Sequence, residues 1–189
     1  TLVLILFSCL LHAQPVFEFR GVWVASVENI DWPSKKGLTV EDQKAEYIKV
    51  LEMHQRNGMN TVIVQVRPAA DAFYPSQYEP WSEYLGGKQG LPPTPYYDPL
   101  EFMINETHKR GMEFHAWFNP YRALVGFTTT SYNNLAATHV AKLHPDWTMT
   151  VTNIASPFTK QLILNPGAPE VWEYIIGSVM HVVRNYDVD

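Results

Sequence analysis

Cysteine is nearly missing from this chain: its 189 residues include one, Cys9. Beyond that position neither a disulfide nor a thiolate metal site can form. No strand-like run is followed by a GxGxxG or GxxxxGK turn, so a nucleotide crevice is disfavoured and no cofactor is expected. HxH and HExxH spacings are absent as well, and no metal is expected; His115 with nearby carboxylates is the one alternative. Basic residues are few. The 14 Lys and Arg against 19 Asp and Glu give a net charge of −5 and a pI near 5.8, which argues against a nucleic-acid backbone as partner. Long apolar runs are lacking too. The stretch Leu2–Leu11 is about ten residues, half of what a transmembrane helix requires, so no transmembrane segment is expected.

That short run has a reading of its own. Followed by Leu11-His-Ala13, it fits a secretory signal cleaved after a small residue, with its basic start missing. Residues 1–13 are therefore read as an incomplete signal peptide, a buried strand being the alternative. Cys9 could instead accept a lipid, but Phe7 departs from a Leu-small-small-Cys pattern. Residues 14–189 form the remainder. With 46% hydrophobic and 13% aromatic residues, the chain has ample material for one domain core.

What is present is a recurring strand design. Met112 to Arg122 reads with period two: Phe114, Ala116 and Phe118 on one face, His115, Trp117 and Asn119 on the other. Pro120 has no N–H to donate and ends the ladder; Tyr121 and Arg122 follow at the tip. A wet edge strand would ordinarily show Thr, Lys or Glu instead, so this set reads as the wall of a cleft. Asn60 to Pro68 repeats the design, with Val62, Val64 and Val66 opposite Thr61, Ile63, Gln65 and Arg67. Arg20 to Val27 is a third β-rich run, leading to Glu28, Asn29, Asp31 and Trp32.

Helical patterns separate these runs. Thr39 with Asp42 resembles a capping box, and Asn57-Gly58 is a stop signal. Asp98-Pro99 is an N-cap and N1 pair for a helix reaching Gly111; Pro169 opens another to about Asn185. Alternation of strand and helix argues for a parallel sheet. Polar residues gathered at the C-terminal strand ends fit a (β/α)8 barrel, whose active site lies there. The connections Ala69–Tyr97 and Tyr121–Ala168, about 30 and about 50 residues, exceed ordinary loops and read as functional. Their aromatic residues could offer platforms to sugar rings. The chain lacks an initiator Met and stops where a fourth strand should begin, at Asp187-Val188-Asp189. The expectation is an α/β chain: the N-terminal half of a (β/α)8 TIM barrel, truncated near the start of the fourth strand.

Four blocks resemble a known family. Phe19-Arg-Gly-Val-Trp-Val-Ala-Ser-Val-Glu-Asn-Ile-Asp-Trp-Pro33 is similar to the opening of the glycosyl-hydrolase-like 10 family. Asn60 to Tyr74, His115 to Arg122 and Leu164-Asn-Pro-Gly167 resemble further blocks in the same order. The resemblance implies a TIM barrel that is secreted, periplasmic or envelope-anchored in bacteria. It also implies hydrolysis of glycosidic bonds, with cell-wall glycan strands as substrate. An Asp-rich segment on the family's fourth strand would bring catalytic carboxylates, and the sequence ends before it. The fragment is therefore expected to be inactive alone. A noncatalytic carbohydrate-binding barrel is the alternative.

Glycoside hydrolysis needs two carboxyl groups across the scissile bond. The candidates here are Asp31 and Asp71, each just past a strand end. A charge beside Asp71, from Arg67, is expected to favour its ionised form. Arg67 and Arg122 would recognise a carboxylate or polar sugar substituent through their fork geometry; the alternative is an ion pair with Asp31 or Asp71. Gln65, Asn119 and Asn165 suit hydroxyl recognition. Asp71, which suits substrate binding better than general acid work, and Trp32, His115, Trp117 and Tyr121 complete the expected sugar-binding set. An oligosaccharide or polysaccharide is the expected partner.

Overall fold

The computed structural model describes residues 18–152 and 160–189. The leader reading of residues 1–13, with Cys9, lies outside them. In chain order the elements are β1 (Gly21–Val24), α1 (Val40–Arg56), β2 (Thr61–Arg67), α2 (Glu83–Gly86), α3 (Pro99–His108), β3 (Glu113–Phe118), β4 (Arg122–Leu124), α4 (Thr129–Asn133), α5 (Val140–Leu143), β5 (Thr148–Thr152), β6 (Lys160–Leu164) and α6 (Pro169–Asn185). The class is α/β. Among the described residues no helix is long and apolar enough to cross a membrane.

β1, β2 and β3 form a parallel sheet in that order, with Gly21 opposite Thr61 and Thr61 opposite Glu113. Strand parity sets its two faces. Val62, Val64, Val66 and Phe114 are fully buried and join the main core with Leu51, Leu100, Met103 and Ile104 from the helices. α1 begins where Thr39 Oγ1 accepts the Asp42 N–H at 3.1 Å. Its buried stripe Val40, Gln43, Tyr47 and Leu51 recurs at helical spacing. α3 begins where Asp98 Oδ1 accepts the N–H groups of Leu100 and Glu101. Tyr47 and Thr107 join the two helices through their hydroxyls at 3.0 Å. Beyond α6 the chain returns to the open edge of β3: the Asp189 N–H donates to the Phe114 carbonyl, and the Asp189 carboxylate accepts the Phe114 N–H.

One expectation about the fold is corrected. The stretch Tyr121–Ala168 is not one long loop. β4, β6 and β5 form a second, antiparallel sheet in that spatial order, with its own core of Ala123, Leu135, Val140, Leu162, Leu164 and Val171. The signal was local: Thr148-Met-Thr-Val-Thr152 alternates β-branched and apolar residues, as a half-exposed strand does.

Candidate functional site

The face of the parallel sheet turned away from the helices carries the polar strand residues. Trp23, Ile63 and His115 share one row across the three strands, and Gln65 and Trp117 share the next. His115 and Gln65 therefore lie on one face, as their parity requires. Trp23 and Trp117 meet edge to face at 4.9 Å, and Trp23 is 59% exposed. The Trp117 indole donates to Asn119 Oδ1 at 2.8 Å, which turns its ring along the strand end. Asn119 Nδ2 in turn donates to the Pro68 carbonyl. His115 Nε2 lies 3.2 Å from Glu113 Oε2 and its ring meets Phe19 edge to face. Gln65 is buried. Its Oε1 accepts the N–H groups of Ser26 and Val27, fixing the turn after β1, while its Nε2 has no hydrogen-bond partner among the described residues.

Other expected binding residues serve the chain itself. Trp32 is not at a cleft but in the core, with its indole donating to the Gln43 carbonyl and its ring against Tyr47 and Phe73. Asp31 is exposed, yet one carboxylate oxygen accepts the Ala25 N–H at 2.8 Å and closes the turn after β1. Arg67 is 1% exposed. It forms an ion pair with neither Asp31 nor Asp71: its Nε donates to Glu79 Oε1 at 2.7 Å and its Nη1 to the Asn119 carbonyl at 2.7 Å. Burial alone would lower its pKa, but Glu79, with smaller contributions from Tyr174 and Tyr74, outweighs it and the guanidinium stays above its ordinary value. Asn165 accepts the Gly167 N–H and shapes the turn into α6.

Asp71 is corrected in sign. Burial pushes its carboxyl up to about 6, although Ser82, the Ala69 N–H and Gln89 all favour the charged form and Arg67 adds a smaller pull. Enclosure outweighs the neighbouring charge. Sequence reasoning missed His139, which is also buried. Its Nδ1 accepts the Ala141 N–H, so Nε2 carries the proton and donates to the Ala69 carbonyl at 3.1 Å. Burial pushes its pKa down to about 4. Asp71 and His139 thus grip the two polar groups of one residue, Ala69, beside Ala70 at φ +51°. Glu79 was missed as well, although Ser76-Gln-Tyr-Glu79 has the spacing of a capping box and its Ser76 Oγ does bond Glu79.

What remains open to a ligand lies at the C-terminal ends of the strands. Glu28 and Asn29, just past β1, hold φ of 54° and 55°, conformations that non-glycine residues adopt only when their surroundings impose them. Glu28 is exposed and was not among the expected carboxylates. Arg122 is half-buried; burial lowers its pKa, with Tyr84 and Glu28 acting the other way. Tyr121 beside it is exposed. Two residues on, Leu124 lines a pocket of about 440 Å³ together with Glu83, Lys88, Gln89, Ser131 and Asn134. Among the described residues no group of three His, Cys, Asp or Glu is placed to hold a metal ion.

Residues 18–189 match the family model described as Glycosyl hydrolase-like 10. The chain belongs to that family. It is 54% identical over 178 residues to the glycosyl hydrolase YngK of Bacillus subtilis, covering 94% of this chain and 33% of that protein. It is 39% identical over 190 residues to the glycosyl hydrolase DigH of Escherichia coli, covering 94% of this chain and 40% of that one. The chain thus spans a third to two fifths of these relatives. A maltogenic α-amylase, AmyB of Thermotoga neapolitana, superposes with a TM-score of 0.53 at 16% identity, over 90% of this chain and 37% of that one. That likeness shows the fold, the α/β arrangement of TIM-barrel glycoside hydrolases. Membership of the family supports a glycan-related function.

Proposed function

We propose that this chain forms the opening βα units of a (β/α)8 barrel that hydrolyses glycosidic bonds in a bacterial envelope or extracellular glycan, peptidoglycan strands being the favoured substrate. The observation that supports this reading is an aromatic pair, exposed Trp23 against half-buried Trp117, on one face of the parallel sheet, with Asn119 bonded to Trp117 at the strand end and Tyr121 and Arg122 next along the chain. Aromatic faces beside planar hydrogen-bonding groups suit a sugar ring with its apolar faces and hydroxyl rim. Barrel active sites occupy that end. Glu28, exposed just past β1, is the carboxylate we place at this end; its partner would come from another strand.

A specific observation favours a second reading, a carbohydrate-binding barrel without catalysis. Asp31 closes a turn and Asp71 is enclosed, so neither expected carboxylate stands free for chemistry. One experiment separates the two. The whole barrel that contains this chain is incubated with purified peptidoglycan glycan strands, and separately with chitin oligomers, and products are followed by mass spectrometry. New reducing ends support hydrolysis. Binding without new ends supports the second reading. Neither binding nor cleavage of any glycan would overturn both.

A further inference from the structure

The geometry points to Arg67 as a positioning residue: locked by Glu79, its guanidinium fixes the corner after β3 that carries Tyr121 and Arg122 to the cleft. Three observations converge. First, the register between β2 and β3 shifts between Gln65 and Arg67, so that Arg67 comes level with Phe118. This brings its side chain to the place where the β3 backbone turns off the sheet. Second, its Nη1 reaches two successive carbonyls of that turn, Asn119 at 2.7 Å and Pro120 at 3.3 Å, while the Arg67 carbonyl accepts the Asn119 N–H at 3.0 Å. Pro120 offers no N–H of its own, so the turn depends on acceptor contacts. Third, the guanidinium is immobilised. Glu79 takes its Nε, Ser76 holds the other Glu79 oxygen, and the Tyr174 ring of α6 lies 5.8 Å from the guanidinium carbon. One residue therefore ties the loop after β2, the corner after β3 and α6 together.

The consequence for function rests on the glycan reading above, whereas the consequence for the corner does not, and the test keeps them apart. Removing one charge would strand the other in the interior, so the informative variant is the double replacement Arg67→Met/Glu79→Met, which keeps volume and removes both charges. Trp117 reports on the corner because its indole donates to Asn119 Oδ1. Its ¹⁵N-indole resonance is assigned by its loss in Trp117→Phe. The double variant should melt cooperatively near the wild type, yet the Trp117 indole proton should move upfield as its acceptor drifts. Glycan affinity should fall about tenfold, the size of one lost charge-assisted hydrogen bond, and adding Arg122→Gln should cost little more. If the double variant does not fold, Arg67→Lys is judged by the same resonance; it keeps the charge but cannot span both carbonyls. A folded variant with an unmoved indole resonance overturns the proposal. A moved resonance in a protein whose wild type binds no glycan upholds the positioning role and sinks the glycan reading instead.

Discussion

Two stretches leave the C-terminal end of the parallel sheet, and they are built in opposite ways. The one after β2 is enclosed from Arg67 to Tyr74 without a break. Its polar groups bond to the chain: Arg67 to Glu79 and Asp71 to the Ala69 N–H. The one after β3 runs through a small antiparallel sheet, and α4 within it buries no residue. There Tyr121 is exposed and Arg122 half-buried. The difference separates framework from contact surface. Polar residues in the first stretch hold the backbone; in the second, His139 reaches back to do the same, while Tyr121 and Arg122 at its start are less enclosed and are the ones we propose for a ligand. Two arginines, each at a strand end and alike in the sequence, illustrate the split.

The largest effect should come from breaking the framework. Glu79→Ala leaves the buried Arg67 charge without its carboxylate and should lower unfolding free energy by about 3–5 kcal/mol. Urea denaturation measures it. A loss below about 1 kcal/mol would mean that the enclosure of Arg67 is not real, and the contrast between the two stretches would collapse.

The next effect concerns pH. Asp71 has a folded pKa of about 6, above its unfolded value, so it stabilises fully at low pH and that contribution is lost as pH rises through 6. His139 has a folded pKa of about 4, below its unfolded value near 6.5, so its contribution is present above 6.5 and lost as pH falls through 4. Between pH 4 and 6 the two slopes oppose each other and nearly cancel. Asp71→Asn should unmask His139: stability should then fall relative to wild type as pH drops from 6.5 to 4, by as much as about 3 kcal/mol. His139→Gln should unmask Asp71 and do the reverse. Chemical denaturation at four pH values decides it. Two variants with parallel pH profiles would show that neither group is as enclosed as its place beside Ala69 implies.

A smaller effect is expected where the connection after β2 reaches α3. Asp98→Ala removes a cap that accepts two backbone N–H groups and also receives the Tyr186 hydroxyl at 2.6 Å. A loss of about 1–2 kcal/mol should follow. Asp98→Asn should recover most of it, and failure to do so would mean that charge rather than capping geometry matters there.

Much of the framework was legible in the sequence because its signals are local. Period-two alternation set which side chains of β2 and β3 share a face, and Thr39, Asp98 and Pro169 marked helix starts that the structure retains. Site assignments failed where the deciding partner is distant or enclosure dominates. Nothing near Trp32 announces that α1 will cover it. Arg67 reads as a ligand-recognising residue, with an ion pair to Asp31 or Asp71 as the alternative, but its partner is Glu79, twelve positions away across a turn. The charge of Arg67 beside Asp71 suggested a lowered pKa, whereas burial, which a sequence does not display, decides the sign. The antiparallel sheet was passed over because its strands are short and its alternating Thr148–Thr152 segment stands inside a stretch read as one loop.

The smallest effect on stability should come from the contact surface, and it is the one that tests function. Arg122 is half-buried, and no ion pair involves it among the described residues. Arg122→Gln keeps much of the aliphatic stem and removes the fork. Stability should change by no more than about 0.5 kcal/mol, as for surface substitutions that break no buried partner. If Arg122 meets the glycan, the same change removes a charge-assisted hydrogen bond and weakens binding by roughly 1.5–3 kcal/mol, about tenfold or more. Both quantities are measured on one preparation, by thermal melting and by titration with glycan strands. A variant that melts and binds as the wild type does would place Arg122 outside the cleft. A variant that melts much lower would make Arg122 a second Arg67, and the division between the two stretches would then fail on the residue chosen to represent it.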